Sequence, residues 1–480
     1  MKTFCFKQTA AVLIVSAFFI TTCVDQEGLD EKNYSIAEVT ADGSETEATT
    51  KLFFTLDDDI PDLTADDIKI VSSFSLIKGG IIKTGAKTYE LDITPGMSGT
   101  IRIGFDPYRG FTGWSAKTVN VISMINFAGT NELTITGYNL NNNVFIIPDK
   151  IAGVKVTAVG ENAFFNKKLT NVIIPDSIKE IGNKGFEYNK LAVITLSDNI
   201  IKMGNRVFAY NELSKIVIPD SVVSIGTEAF THNNLTEITF SKNMTLIPSG
   251  AFAYNSMEEI EIPENIKNIG NESFRNNKLT EAVIPDGITD IGYGTFAYNK
   301  LKKIELPEKL KTIGVGAFIY NQLEELSIPD SVIRIDSEAF AYNKLTFVEI
   351  PDSVIVLGNY AFAYNELESV NIPNNITSIG NSAFAYNKLN NVVIPGHVTR
   401  IDNNSFMYNN LTSIIIPENV EYIGNSAFSH NPLTVIAIGS NVTLGYNSFD
   451  NGFEEVYNEK KEAGTYNLAG NKWNFEPKKK

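Results

Sequence analysis

Two cysteines, three histidines and an excess of carboxylates are the groups in this 480-residue chain that could do chemistry. Nucleophilic or metal-assisted catalysis would need several of them at fixed, short spacings. His232, His397 and His430 lie far apart in sequence. No H-E-x-x-H, nucleophile elbow or phosphate-binding glycine loop occurs. Many of the 56 acidic residues sit in repeated positions, so no pair stands out as an acid and its base. Asp176, Asp220, Asp286, Asp330 and Asp352 each follow a proline. Weak calcium binding and turn capping are both open to them, and capping is the commoner role. This inventory argues against an enzyme and implies no cofactor and no resident metal. A net charge of −16 without an apparent basic face also argues against nucleic acid as a partner.

The cysteines point to export. Lys2 and Lys7 precede an apolar run, "AAVLIVSAFFI", too short to span a bilayer and suited to a signal peptide over residues 1–22. The run ends in "ITTC". This resembles a bacterial lipobox, which implies a lipid on Cys23 and attachment to the membrane through that anchor alone. Plain secretion with cleavage nearby is the alternative. With Cys5 removed, Cys23 is the only thiol, and no internal disulfide forms. Residues 23–33 read as a polar, acidic tether.

Other side chains recur so regularly that they demand a scaffold. Phenylalanine stands at 164, 186, 208 and every twenty-second position to 428. Counted from each Phe, Asn stands at plus three in twelve of the thirteen units, from Asn189 to Asn431, with Lys167 the exception. A buried amide there could satisfy turn backbone and pair with the neighbouring coil. Tyr stands at plus two in nine units, including Tyr298, Tyr320, Tyr342 and Tyr364; His232 and His430 share the slot. Such a row is either a stacked aromatic edge or a contact surface.

A fixed period of this size means stacked units. Leu or Met at plus five, and apolar residues at plus eight, ten, fourteen and seventeen, give each unit one inward set. "V-x-I" places two apolar side chains on one face of a short strand, and the following Pro ends it. "DSV" and "ENI" cap a turn, "IG" closes the other side, and the small residue before Phe lets coils approach. One extra residue in the strand would turn its inward set outward. Ahead of the array, "TKLFFTL", "DIKIVSSF", "KTYELDI", "GTIRIGF" and "KTVNVI" alternate as strands, roughly seven in about 90 residues, which suggests a small immunoglobulin-like β-sandwich over residues 34–125.

"NKLTFVEIPDSVIVLGNYAF" resembles the BspA-like (Treponema-type) leucine-rich repeat, L-x-x-I-x-L-P-x-x-L-x-x-I-G-x-x-A-F, and thirteen units fit it. The resemblance implies a mostly-β chain: a right-handed leucine-rich-repeat solenoid of 22-residue coils with strands on the concave side. It assigns residues 126–163 to an N-terminal opening repeat, 164–448 to the array and 449–480 to a closing segment. The stretch "LDITPGMSGTIRIGF" also resembles Ig-like modules that precede repeat arrays in bacterial surface proteins. The family implies exposure at the cell surface or outer membrane. It also implies adhesion through a protein ligand: a host or matrix protein, or a surface protein of another cell. A passive envelope spacer is the alternative.

If a ligand docks on the strands, positions plus seven and plus nine should meet it, because they flank the inward plus-eight residue. They hold Glu237, Glu259, Glu261, Glu281, Glu305, Glu325 and Glu349, with Lys303 among them. Val193, Thr195 and Val217 precede them, and Val393, Ile415 and Val435 follow. The expectation is one acidic stripe with apolar ends: either a solvated face that discourages aggregation or a dock for a basic partner.

Overall fold

The computed structural model describes residues 34–43, 48–105, 116–121, 123–139 and 143–478. The expected signal peptide, Cys23 and the tether lie outside them. Alternating burial along the first strands builds two antiparallel sheets. Strands β1 (Ile36–Ala41), β2 (Lys51–Leu56), β5 (Thr88–Pro95) and β4 (Leu76–Lys83) form one, in that order. Strands β3 (Ile68–Val71), β6 (Gly99–Phe105) and β7 (Lys117–Val121) form the other. Leu52, Phe54, Tyr89 and Leu91 from the first sheet share a core with Ile68, Ile101 and Ile103 from the second.

The solenoid opens on a hairpin, β8 (Ile125–Ala128) and β9 (Leu133–Tyr138). The Phe127 amide donates to the Gly96 carbonyl at 2.8 Å, and Ile77 packs on the solenoid core, so the sandwich is joined through its β4–β5 edge. Tyr138 and Phe145 cover Phe164, the first ring of a buried stack that runs to Phe449. Successive rings in that stack lie near parallel, 5.0–6.0 Å apart.

The coils form two parallel ladders, the first of them in short separate pieces. The first uses plus seven to nine: Lys215–Val217 pairs with Glu237–Thr239, Glu259–Glu261 with Glu281–Val283, and Phe347–Glu349 with Ser369–Asn371. The second uses plus sixteen and seventeen, as in Asp290–Ile291, Thr312–Ile313, Arg334–Ile335 and Val356–Leu357. The "IG" side is therefore not a bare closure. Its apolar residue is buried and its predecessor faces out, so two residues suffice for a strand. The glycine after it lets coils touch: a Cβ on Gly204 would sit 2.5 Å from the Asn183 amide nitrogen.

The corner between Phe and Leu belongs to neither ladder. There the plus-three Asn binds backbone. Asn343 is 7% exposed. Its Nδ2 donates to the carbonyls of Phe318 in the preceding coil (3.0 Å) and of its own Phe340 (3.1 Å). Its Oδ1 accepts from the Leu323 amide at 3.0 Å. The same clamp recurs from Asn189 to Asn431. The amides do not pair with one another; each holds the main chain of the coil before it.

The far end is closed by helix α1 (Phe453–Lys460) and a hairpin, Gly464–Ala469 with Lys472–Pro477, that pairs antiparallel with Val435–Ile438. Phe453, Tyr457, Tyr466 and Trp473 shield the last ring from water. Burial pushes the Tyr466 phenol up to about 12.

Asn343→Ala should leave buried backbone groups unpaired and cost about 1–3 kcal/mol. Lys344→Ala, on the exposed neighbour, should cost under about 0.5 kcal/mol. Equal midpoints in urea melts of the two variants would show that the clamp does not hold the coils.

Candidate protein-interaction surface

The first ladder presents the expected face. In most of its strands the plus-eight side chain points inward between exposed neighbours, as in the pattern of Glu259, Ile260 and Glu261. The predicted glutamates fall into two columns. Glu237, Glu259, Glu281, Lys303 and Glu325 follow one another at plus seven, while Glu261, Val283, Glu305, Ser327 and Glu349 follow one another at plus nine. Glu259 stands directly beside Glu281, a like-charge pair that works against the ladder. Glu237 is tied to Lys215 by an ion pair. The ladder is interrupted around Lys303–Glu305, and there the surface dips into a groove of about 680 Å³. Its floor is apolar, from Ala282, Ile284, Ile304 and Leu306; Glu264, Glu281, Asp286, Glu305 and Glu308 stand around it. The columns end in exposed aliphatic residues, among them Val193 at 66%, Val393 at 80% and Ile415 at 72%.

Two of the five post-proline aspartates reach across coils. Asp220 accepts from the Lys242 amide at 2.9 Å, and Asp352 from the Asn374 amide at 2.8 Å. Among the described residues no three His, Cys, Asp or Glu side chains are gathered as metal ligands. His232 is stacked between Tyr210 and Tyr254, His430 lies on Tyr408, and His397 stands on an exposed turn.

The tyrosine row is a continuous edge. Tyr298, Tyr320, Tyr342, Tyr364, Tyr386 and Tyr408 stack at 4.3–4.7 Å. The faces cover one another, so ring edges and hydroxyls meet solvent. Every member turns a corner in the left-handed region, with φ of 57° at Tyr342. That conformation costs a non-glycine residue about 1–2 kcal/mol, which a stacked ring pair offsets by about 0.5–1.5 kcal/mol. Where Asn276 breaks the row, the Arg275 guanidinium lies 4.7 Å from the Tyr298 ring and fills the gap.

Three features escaped the sequence reading. The left-handed corners were hidden because Tyr does not advertise them; Asn166 and Asn276 in the same slot were the available signal. An exposed row of amides at plus nineteen bonds the next coil, as when Asn205 Oδ1 accepts from the Thr227 amide at 2.9 Å. Glu187 occupies a slot elsewhere filled by Ala209, Ala253 or Ala297. It is buried against Arg206 at 2.7 Å, and burial pushes its carboxyl up.

A β-solenoid with a leucine-rich 22-residue coil, capped at both ends and presenting a strand face, is a leucine-rich-repeat protein. The profile of the BspA type leucine rich repeat region matches residues 138–258, 224–346 and 333–454, and the chain belongs to that family. Among curated proteins none matches it. A leucine-rich repeat protein from Bacteroides ovatus has the same fold, with 24% identity and TM-score 0.50 over 68% of this chain and 91% of that one. A leucine rich cell surface protein from Faecalibacterium prausnitzii is also similar (24% identity; 69% and 95% covered; TM-score 0.43). So is the pneumococcal vaccine antigen PcpA (25% identity; 67% and 96% covered; TM-score 0.43).

The stack has a signature in alkali. Burial raises the Tyr342 phenol well above 10, with the Tyr364 and Tyr320 hydroxyls adding to the effect; Tyr386 and Tyr210 move the same way. A folded value above the unfolded one means stability that is complete below about pH 10 and lost as pH rises through the folded value. Tyrosinate absorbance should therefore rise later in the native protein than in urea, with the melting temperature falling above about pH 10. Superimposable titrations would contradict the stacked row.

Proposed function

We propose that the protein is a surface-displayed adhesion protein whose strand face docks a basic protein: a host or matrix protein, or a surface protein of another cell. The observation that carries this reading is the excess of negative charge on the strand face of the central coils, where six glutamates and one cation, Lys303, stand in the plus-seven and plus-nine slots. Glu259, Glu261, Glu281, Glu305, Glu325 and Glu349 are all exposed. None of them enters a salt bridge among the described residues, whereas Glu237, at the start of the plus-seven column, pairs with Lys215. A solvated face would tolerate pairing anywhere; a docking face gains from a field left open to its partner, which steers association. The exposed aliphatic ends would supply contact area. Export with a lipid on Cys23 belongs to the same reading, and partition of the protein into detergent checks it.

Binding of the purified protein to a panel of matrix proteins and to intact cells identifies the ligand. Glu259→Lys with Glu281→Lys and Glu305→Lys should then slow association at least tenfold and leave the melting temperature nearly unchanged. Binding should also weaken with salt, since exposed charges are screened beyond about 8 Å at physiological ionic strength. An unchanged rate would move the site to the tyrosine edge. No binding to any panel member would favour the passive spacer.

A further inference from the structure

The groove beside the acidic columns has two charged rails over an apolar floor. One rail is the plus-nine column, where Glu305 lines the groove, Glu261 and Glu349 continue the column two coils to either side, and Lys303 is the cation beside it. The other lies beyond the proline, where Glu264, Asp286 and Glu308 stand exposed at plus twelve of successive coils. Glu261, Glu305, Glu349, Glu264, Asp286 and Glu308 make no salt bridge within the described chain. We infer that this groove binds an extended polypeptide segment in the polyproline II conformation, with a lysine or arginine at every third residue.

The spacing selects that occupant. Neighbouring strands are about 4.8 Å apart, so carboxylates on alternate coils recur at about 10 Å. A polyproline II chain turns once in three residues and rises 3.1 Å per residue, so its one-face repeat is about 9.3 Å. A β-strand repeats a face every 6.8 Å or so, between one coil and two, and would fall out of register. Width also favours a slender chain. The rails are three residues apart in each coil, at most about 10 Å. An α-helix with its side chains needs about 10–12 Å. The slender chain leaves its third-residue cations on the plus-nine rail, its other side chains on Ala282, Ile284 and Ile304, and the plus-twelve rail beside its solvated backbone.

The inference rests on the docking reading above, and the two can fail separately. Fluorescence anisotropy of the purified protein is measured with labelled (Pro-Pro-Lys)5, with a block isomer of the same composition, and with an alanine-based helical peptide carrying five lysines. The spaced peptide should bind at least fivefold tighter than the block isomer. Glu261→Gln with Glu305→Gln and Glu349→Gln should weaken it at least tenfold, with the melting temperature held as the folding control. Equal affinity for the spaced and block peptides would overturn the inference, as would failure of the spaced peptide to bind. Tighter binding of the helical peptide, lost in the triple variant, would overturn it while leaving acidic docking in place. If the triple variant binds every cationic peptide as the parent does, the inference falls, while the docking reading stands or falls with the Glu259→Lys, Glu281→Lys and Glu305→Lys variant.

Discussion

The solenoid depends on what happens to a few backbone groups at one corner. The chain turns there through a left-handed residue, and neither parallel ladder reaches the Phe carbonyl or the Leu amide. Left buried without partners, such groups cost more than an ordinary hydrogen bond returns. The plus-three Asn meets donors and acceptors together, because one carboxamide carries both. Two of its partners, the Phe carbonyl and the Leu amide of the preceding coil, fasten each coil to the one before it by side chain as well as by ladder.

That clamp explains the invariant period. Coils of other lengths occur only where it is absent. In the opening coil Phe145 pairs with Val172, a step of 27 residues, and Lys167 stands in the slot that would reach back. In the last coil Ile423 pairs with Leu444, a step of 21, and Gly452 stands where the next Asn would be. Between them, from Asn189 to Asn431, the step is 22 throughout. Repetition in register then dictates the surface. Whatever occupies one slot lies about 4.8 Å from its equivalents, so aromatics become a stack and glutamates become columns. The stack offsets strained corners. The columns carry like-charge repulsion that the Lys215–Glu237 pair relieves at one end.

The repeat, its inward set and the buried amide were legible because they obey simple periods: two for the strand, 22 for the coil. The seven-strand sandwich was legible from alternation alone. The second ladder was not, since two residues carry too little pattern. The tyrosine corners were not, since the side chain gives no sign of a positive φ. The acidic face was legible as a set of exposed residues but not in its geometry: whether Glu259 and Glu305 share a column depends on their odd offsets within the coil. The groove depends on one small residue, Ala282, at a slot otherwise aliphatic, and on a local break in the ladder.

The claim that the corner clamp locks the period is tested most directly by excision. Removing residues 341–362 deletes one whole coil and restores every clamp. Removing 341–361 leaves one coil a residue too long. Thermal unfolding of the two proteins should differ: the 22-residue excision keeps one cooperative transition within a few degrees of the parent, as repeat arrays allow. The 21-residue excision should split the transition or lower it by about 10 °C or more, as broken pairing and unpaired backbone require. Equal melting of the two would contradict the account.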